Sequence, residues 1–290
     1  MSGKHPTLAK HPSEVLHVKP GFSIDDFDKH STPGFSAGKS TGKARTQSRG
    51  KQLADLQEQL FADGRSGGSR SLLLVLQGMD TAGKGGIVRH VIGMVDPQGV
   101  DYASFGPPTK EEQAHHFLWR VQKKLPAPGR IGVFDRSHYE DVLVAKVRGL
   151  APAEQIEARY GEINAWEQRL LDQGTTIIKC ALMVSLDEQL DRLEKRLHRP
   201  DKYWKYSDSD LDDRAHWTQF RDAYEAMFER TSTPAAPWHV IPADRKWFAR
   251  LAVTELLSHA LEGLDLGWPA PAFDVDAERA RIVSLRKRGH

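Results

Sequence analysis

Residues 71–77 (SLLLVLQ) form a nearly continuous apolar run that stops at Gly78, and apolar positions return after Lys84 with helical spacing in IVRHVIGMV. That pattern predicts a buried strand, a glycine turn and a helix. VDYASF (100–105) predicts a second strand, and Pro107, Pro108 and Thr109 signal the start of a helix over KEEQAHHFLWRVQKKL (110–125). RIGVFDRS (130–137) is a third apolar run that ends in charge. Helical patterns follow from about Tyr139 to Val147 and over AEQIEARYGEINAWEQRLLDQG (153–174), which Gly174 closes. TTIIKCALMVS and PWHVIP predict the fourth and fifth strands. Between them LDEQLDRLEKRLHRP reads as a helix stopped by Pro200, and after them DRKWFARLAVTELLSHALEG reads as the last helix.

Short apolar strands alternating with longer helices predict an α/β fold, a doubly wound parallel sheet with helices on both faces. The expected organisation is a basic, partly extended N-terminal arm over 1–51, a phosphate-loop domain over 52–265 with a lid at about 192–230, and a C-terminal tail over 266–290.

Composition narrows the class. A chain of 290 residues, 39% hydrophobic and 28% charged, can bury one large core. No apolar run approaches the roughly 18 residues of a membrane span, and the polar start from Ser2 to Lys10 lacks a signal-peptide core. These features predict a soluble, cytoplasmic protein with no membrane partner. The single cysteine, Cys180, lies in an apolar run and reads as a buried structural thiol. Net charge is only +2, so bulk charge announces no polyanion partner. Residues 35–51 and 279–290 are locally basic and read as solvated tails.

Candidate chemistry starts at GMDTAGKGG (78–86), which matches G-x-x-x-x-G-K and departs only where Gly85 replaces the usual Ser or Thr. A glycine turn between a buried strand and a helix offers backbone N–H groups to an anion, here through Gly78, Ala82, Gly83, Gly85 and Gly86, while Lys84 reaches the outer phosphates. Without the hydroxyl, a magnesium ion needs other oxygen ligands. Asp80 lies inside the loop, and Asp135 ends a strand at the carboxyl edge of the sheet, where open α/β folds bind ligands. The plainer role for each is helix capping. Together beside Lys84 they predict a phosphoryl-transfer site in which Asp80 and Asp135 hold metal and Lys84 and Arg136 neutralise the donor.

A second basic feature follows the fourth strand. Arg192, Arg196 and Arg199 recur at steps of four and three, with Lys195, Lys202 and Lys205 beside them, which predicts a cationic helix face able to close over phosphates. The aromatic and basic residues of KYWKY suit either base stacking or a hydrophobic hinge.

LLLVLQGMDTAGKGGIVRHV, the DPQGV that follows, IGVFDRSHYEDVLVAKV and RPDKYWKYSDSDLDDRAHWTQFRDAYE together resemble the second family of polyphosphate kinases, and the likeness extends from about Val18 to about Leu261. The resemblance implies a P-loop kinase fold with a helical lid that moves the terminal phosphate of inorganic polyphosphate to a nucleoside mono- or diphosphate. It implies adenine or guanine nucleotides as acceptors, magnesium with manganese as a substitute, and a homo-oligomer, dimer or tetramer. Asp80 and Lys84 match the family's loop aspartate and lysine. Asp135, Arg136 and Ser137 match its second motif, and Arg120, Arg196, Arg199 and Lys202 resemble its phosphate-binding cations. Glu140 resembles the group that accepts both AMP and ADP. Gly85, where that group often has Asp, and Asp135, where it often has Asn, leave the acceptor choice open.

Two rivals remain: an ATP-dependent nucleoside monophosphate kinase, and a non-catalytic polyphosphate- or nucleic-acid-binding protein using counterion release. No specific nucleic-acid partner is expected. The adjacent His115 and His116 lack zinc spacing, and Ser137 lacks the G-x-S-x-G of a hydrolase elbow.

Overall fold

The structure, a computed structural model, describes residues 8–287, with the side chains of residues 209 and 210 left out. Ser2–Thr7 of the polar N-terminus and Arg288–His290 of the basic C-terminal run lie outside the described residues. A short helix α1 (Pro12–Val15) leads to the long α2 (Lys39–Arg65). Next come β1 (Ser71–Gln77), α3 (Lys84–His90), β2 (Val100–Ser104), α4 (Lys110–Gln113), α5 (Trp119–Gln122) and β3 (Ile131–Asp135). After β3 the chain forms a 3-10 turn over His138–Asp141, then α6 (Val144–Val147), α7 (Ala153–Asp172) and β4 (Thr175–Met183). It continues through α8 (Leu186–Leu197), α9 (Ser209–Ala215), α10 (Trp217–Thr231), β5 (Trp238–Pro242), α11 (Lys246–Glu262) and α12 (Val275–Lys287).

The five strands make one parallel sheet in the order β2-β3-β1-β4-β5. Every residue of β1 is buried, because the strand alternates its side chains between two cores. Leu72, Leu74 and Leu76 pack with α2, α3 and α11, whereas Leu73 and Val75 pack with α7 and α10 on the opposite face. The winding departs from β1 in both directions, so the carboxyl ends of β1 and β3 border a crevice at the switch point. Register places Leu76 beside Asp135, which brings the phosphate loop and the end of β3 side by side.

Four expectations change. The basic stretch after Gly38 is helical, and α2 runs through position 52, where the arm was expected to end. Its inner stripe is Gly42, Gly50, Leu53, Gln57 and Leu60, so its face for the core is built partly from glycines and escapes a search for apolar periodicity. The helix expected over 110–125 breaks into α4 and α5: Thr109 and Glu112 form a capping box that starts the first, and His116 turns aside to pair with Glu162 at 2.7 Å. The helix expected from Tyr139 to Val147 is a 3-10 turn followed by one helical turn. The expected C-terminal tail carries α12, which buries no residue. Among the described residues no helix is long and apolar enough to cross a membrane.

Candidate active site

Backbone constraints shape the loop between β1 and α3. Gly78 has φ 154°, and a Cβ there would meet the Leu182 carbonyl oxygen at 2.7 Å. Gly83, with φ 118°, turns the chain into α3. Thr81 (φ 65°) and Arg136 (φ 63°) hold left-handed conformations that cost side-chain-bearing residues free energy, and both flank the same crevice. Arg136 is fixed there by its amide, which donates to the Leu76 carbonyl at 3.0 Å. A Cβ on Gly85 would meet nothing within 4 Å, so the place of the usual hydroxyl is open space.

Asp80 stands where two hollows meet. On one side is a cleft of about 730 Å³ lined by loop residues Asp80 to Gly86, Asp135, and the cationic side chains of α3, α8, the turn after α8 (Arg199, Lys202 and Lys205) and α11. Ten lysines and arginines line it beside two carboxylates, a balance suited to a polyanion. On the other side is a recess of about 30 Å³ formed by Gly78, Met79, Asp80, Arg136, Glu140, Leu143, Val144, Asp213, Phe220 and Tyr224. The recess is lined by α6, α9 and α10 as well as the loop, so the segment after α8 covers this side.

Charges are ordered across the junction. Arg136 donates to Asp80 Oδ1 at 2.9 Å and lies 3.9 Å from Glu140. Burial opposes ionisation of Asp80, but Lys84 and then Arg136 outweigh it and hold the carboxyl below the usual carboxylate range. Burial, with help from Arg136, lowers the Lys84 ammonium. Burial raises the Glu140 carboxyl against the pull of Arg136 and Lys84. Lys84 Nζ donates to the Gly78 carbonyl at 2.5 Å. Asp135 faces the cleft and has Tyr102 Oη at 3.4 Å.

The residues fit a divalent metal in one specific way. Among the described residues no group of three or more His, Cys, Asp or Glu side chains could cage an ion. Two carboxylates, Asp80 and Asp135, face one cleft, and a hard cation bound by one or two carboxylates completes its shell with water and phosphate oxygens. Neither aspartate fills its plainer role: no side chain caps α3, and Ser137 caps the 3-10 turn after β3.

Of the residues singled out from sequence, Asp80, Ala82, Gly83, Lys84, Gly85, Gly86, Asp135, Arg196, Arg199 and Lys202 line the cleft. Gly78, Arg136 and Glu140 line the recess. Two lie elsewhere. Ser137 is fully buried, and its hydroxyl accepts from the Tyr139 amide and contacts Gln77, whose amide also reaches Glu140 when oriented to satisfy both. Arg120 is buried beneath the loop after β2, donating to the Gly106 carbonyl at 2.8 Å with Glu112 and Asp141 each 3.8 Å away. Sequence reasoning missed Arg89, Lys246 and Arg250 in the cleft and Tyr224 in the recess. The step of four between Lys246 and Arg250 at the start of α11 was the one available signal.

A buried strand, a glycine loop carrying lysine, an aspartate on the neighbouring strand and a cation-lined cleft define a P-loop phosphotransferase. Polyphosphate kinase 2 matches residues 36–266, and the chain belongs to that family. It is 43% identical over 250 residues to the AMP/ADP-polyphosphate phosphotransferase of Meiothermus ruber, covering 86% of this chain and 92% of the relative. It is 38% identical to the ADP-polyphosphate phosphotransferase of Rhodopseudomonas palustris, covering 82% and 84%. The crystal structure of polyphosphate kinase 2 from Arthrobacter aurescens TC1 superposes with a TM-score of 0.94 at 55% identity, covering 96% of this chain and 99% of that one.

Proposed function

We propose that this enzyme moves the terminal phosphoryl group of inorganic polyphosphate to AMP and ADP, with magnesium as its metal. The carrying observation is the position of Asp80, at the junction between a wide cationic cleft and a small recess that Glu140 and Arg136 also line. The cleft suits the donor chain, whose repeated negative charges meet lysines and arginines of α3, α8, the turn after α8 and α11. The recess suits the acceptor, with Arg136 toward its phosphate and the apolar walls of Met79, Leu143, Val144 and Phe220 toward its nucleoside. The recess is narrow, and outward movement of α9 and α10, which line it, would widen it for a nucleoside.

Asp80 and Asp135 would hold the metal, which when bound spreads the charge of the transferred group. Loop amides and Lys84 orient the terminal phosphate, and Arg136 aligns the acceptor for in-line attack. No covalent enzyme intermediate is required. The twofold acceptor choice rests on Glu140 and on the Meiothermus ruber relative named for both nucleotides. A homo-oligomer, dimer or tetramer, is the proposed assembly.

The deciding experiment offers the purified protein magnesium and long-chain polyphosphate with AMP or ADP, beside an AMP reaction with ATP as sole donor. Polyphosphate-dependent ADP and ATP are expected. Transfer from ATP alone would establish a monophosphate kinase instead, and tight polyphosphate binding without product would establish a non-catalytic binder.

A further inference from the structure

A loop that turns its N–H groups toward an anion must satisfy its carbonyls elsewhere, since each peptide unit carries both. Here all five carbonyls from Gly78 to Ala82 have partners. Lys84 takes those of Gly78 and, at 3.5 Å, Met79, and the Ala82 amide also donates to Met79. The next three are taken by one helix: Gln189 Nε2 donates to the Asp80 carbonyl at 3.3 Å, and Arg192 Nη1 donates to those of Thr81 (2.8 Å) and Ala82 (3.1 Å). Gln189 and Arg192 lie three residues apart on α8 and so share a face. Both are buried.

Arg192 has no donor left for a phosphate. A guanidinium carries five N–H groups. Besides the two loop carbonyls, Nη2 meets those of Ala243 (2.6 Å) and Asp244 (3.1 Å), and Nε meets Glu188 at 2.7 Å. The sequence pattern grouped Arg192 with the phosphate-facing cations. Its partners put it to another use, as a strut between the loop and the turn joining β5 to α11. Gln189 is also fully engaged at its other end, accepting from Arg214 at 3.1 Å.

We propose that Gln189 and Arg192 are positioning residues for phosphoryl transfer. They hold the carbonyls of Asp80, Thr81 and Ala82, keep Thr81 in its left-handed conformation, and so aim the Asp80 side chain and the loop amides. They also tie the loop to the helix that carries Arg196 into the donor cleft one turn later. The inference rests on the proposed polyphosphate reaction and deepens it.

The test uses full-length Arg192→Ala and Gln189→Met beside the wild type, measuring kcat, KM for both substrates and thermal midpoint, with and without guanidinium at about 10 mM as a stand-in for the lost side chain. Arg192→Ala is expected to lower kcat about tenfold to a hundredfold, the effect of misplacing a reacting group by about 1 Å, with KM for polyphosphate within about twofold. Guanidinium should then raise its kcat at least about fivefold and leave the wild type unchanged, a response that simple destabilisation does not produce. A folded variant with kcat within about twofold of wild type, one that does not recover in guanidinium, or one impaired only in KM for polyphosphate would overturn the proposal. If Arg192→Ala does not fold, Gln189→Met carries the test, with kcat lowered about threefold to tenfold at unchanged KM; an unchanged kcat overturns the proposal. A wild type that makes no polyphosphate-dependent product would overturn the proposed function itself, whereas an active wild type with unaffected variants overturns only the positioning role.

Discussion

Asp80 and Glu140 are carboxylates beside the same arginine, yet their environments push them in opposite directions. Asp80, held below its ordinary range by Lys84 and Arg136, stays ionised through the neutral and mildly acidic range and is suited to metal or to a fixed negative charge. Asp80→Asn keeps the shape and removes that charge, so turnover should fall at least about a hundredfold; near-normal kcat in a folded variant would take Asp80 out of the reaction. Glu140 is raised by burial, so between the ordinary carboxylate value and its raised one the folded protein holds a proton that the unfolded chain has released. Glu140's own contribution to stability is therefore present at low pH and lost as pH rises through that window. Glu140→Gln should remove that contribution, so that in denaturation curves taken across acidic pH its stability rises more, or falls less, with pH than that of the wild type; an unchanged pH dependence would show that Glu140 is not the titrating group.

At the scale of elements, α2 shows how a helix can be held by close approach and by charge. Glu255, buried on α11, accepts from Arg45 at 2.7 Å with Arg49 at 3.2 Å, and Arg49 reaches Glu262 at 2.6 Å. Gly42 lets the backbone lie against Trp247: a Cβ there would meet the indole edge at 2.3 Å. Glycine to alanine inside a helix gains about 1 kcal/mol of propensity, while forcing a group into a packed site costs about 1–3 kcal/mol. Trp247 is wedged against Phe35 and Phe248 and cannot swing aside, so packing wins and Gly42→Ala should lower the thermal midpoint. Gly50 is the control. Its nearest neighbour is the thioether of Met94, a flexible end that can move, so Gly50→Ala should lie near neutral or be stabilising. Equal losses at both positions would refute this account.

These details mark the limit of what the sequence discloses. The five strands and the loop were legible because SLLLVLQ, IGVF and TTIIKCALM are apolar runs of strand length bounded by glycine or charge. α2 was not legible, since glycines and arginine stems do work that periodicity assigns to leucine. Nor could spacing separate Arg192 from Arg196: both lie on one helix, and only the partners around the first show that it faces inward to carbonyls. Ser137 follows Asp135 and Arg136 in the motif, but adjacency in sequence gives no direction, and its hydroxyl is turned into the protein.

For the whole molecule, charge is nearly balanced, at +2 over 290 residues, so the excess of cations in the cleft is compensated elsewhere on the surface. Recognition of polyphosphate should thus be a local-field effect confined to one face. Such a field is screened over about 10 Å at 0.1 M salt; with the donor in the cleft and the acceptor in the recess, as proposed, a long polyphosphate chain would meet several cations at once, whereas the acceptor's short phosphate group would face mainly Arg136. KM for polyphosphate should therefore rise with ionic strength more steeply than KM for AMP. Arg199 and Lys202 line the cleft and share Asp201 as a partner, at 2.8 and 3.1 Å, so they form an exposed cluster in which two positive charges outweigh one negative. Replacing both with glutamine should flatten the salt dependence for polyphosphate and leave that for AMP unchanged, as read from KM measured over about 0.05 to 0.3 M salt. If both slopes flatten together, the Arg199–Lys202 cluster acts on every anion that approaches; if neither does, the donor chain runs along α3 and α11 instead, past Arg89, Lys246 and Arg250.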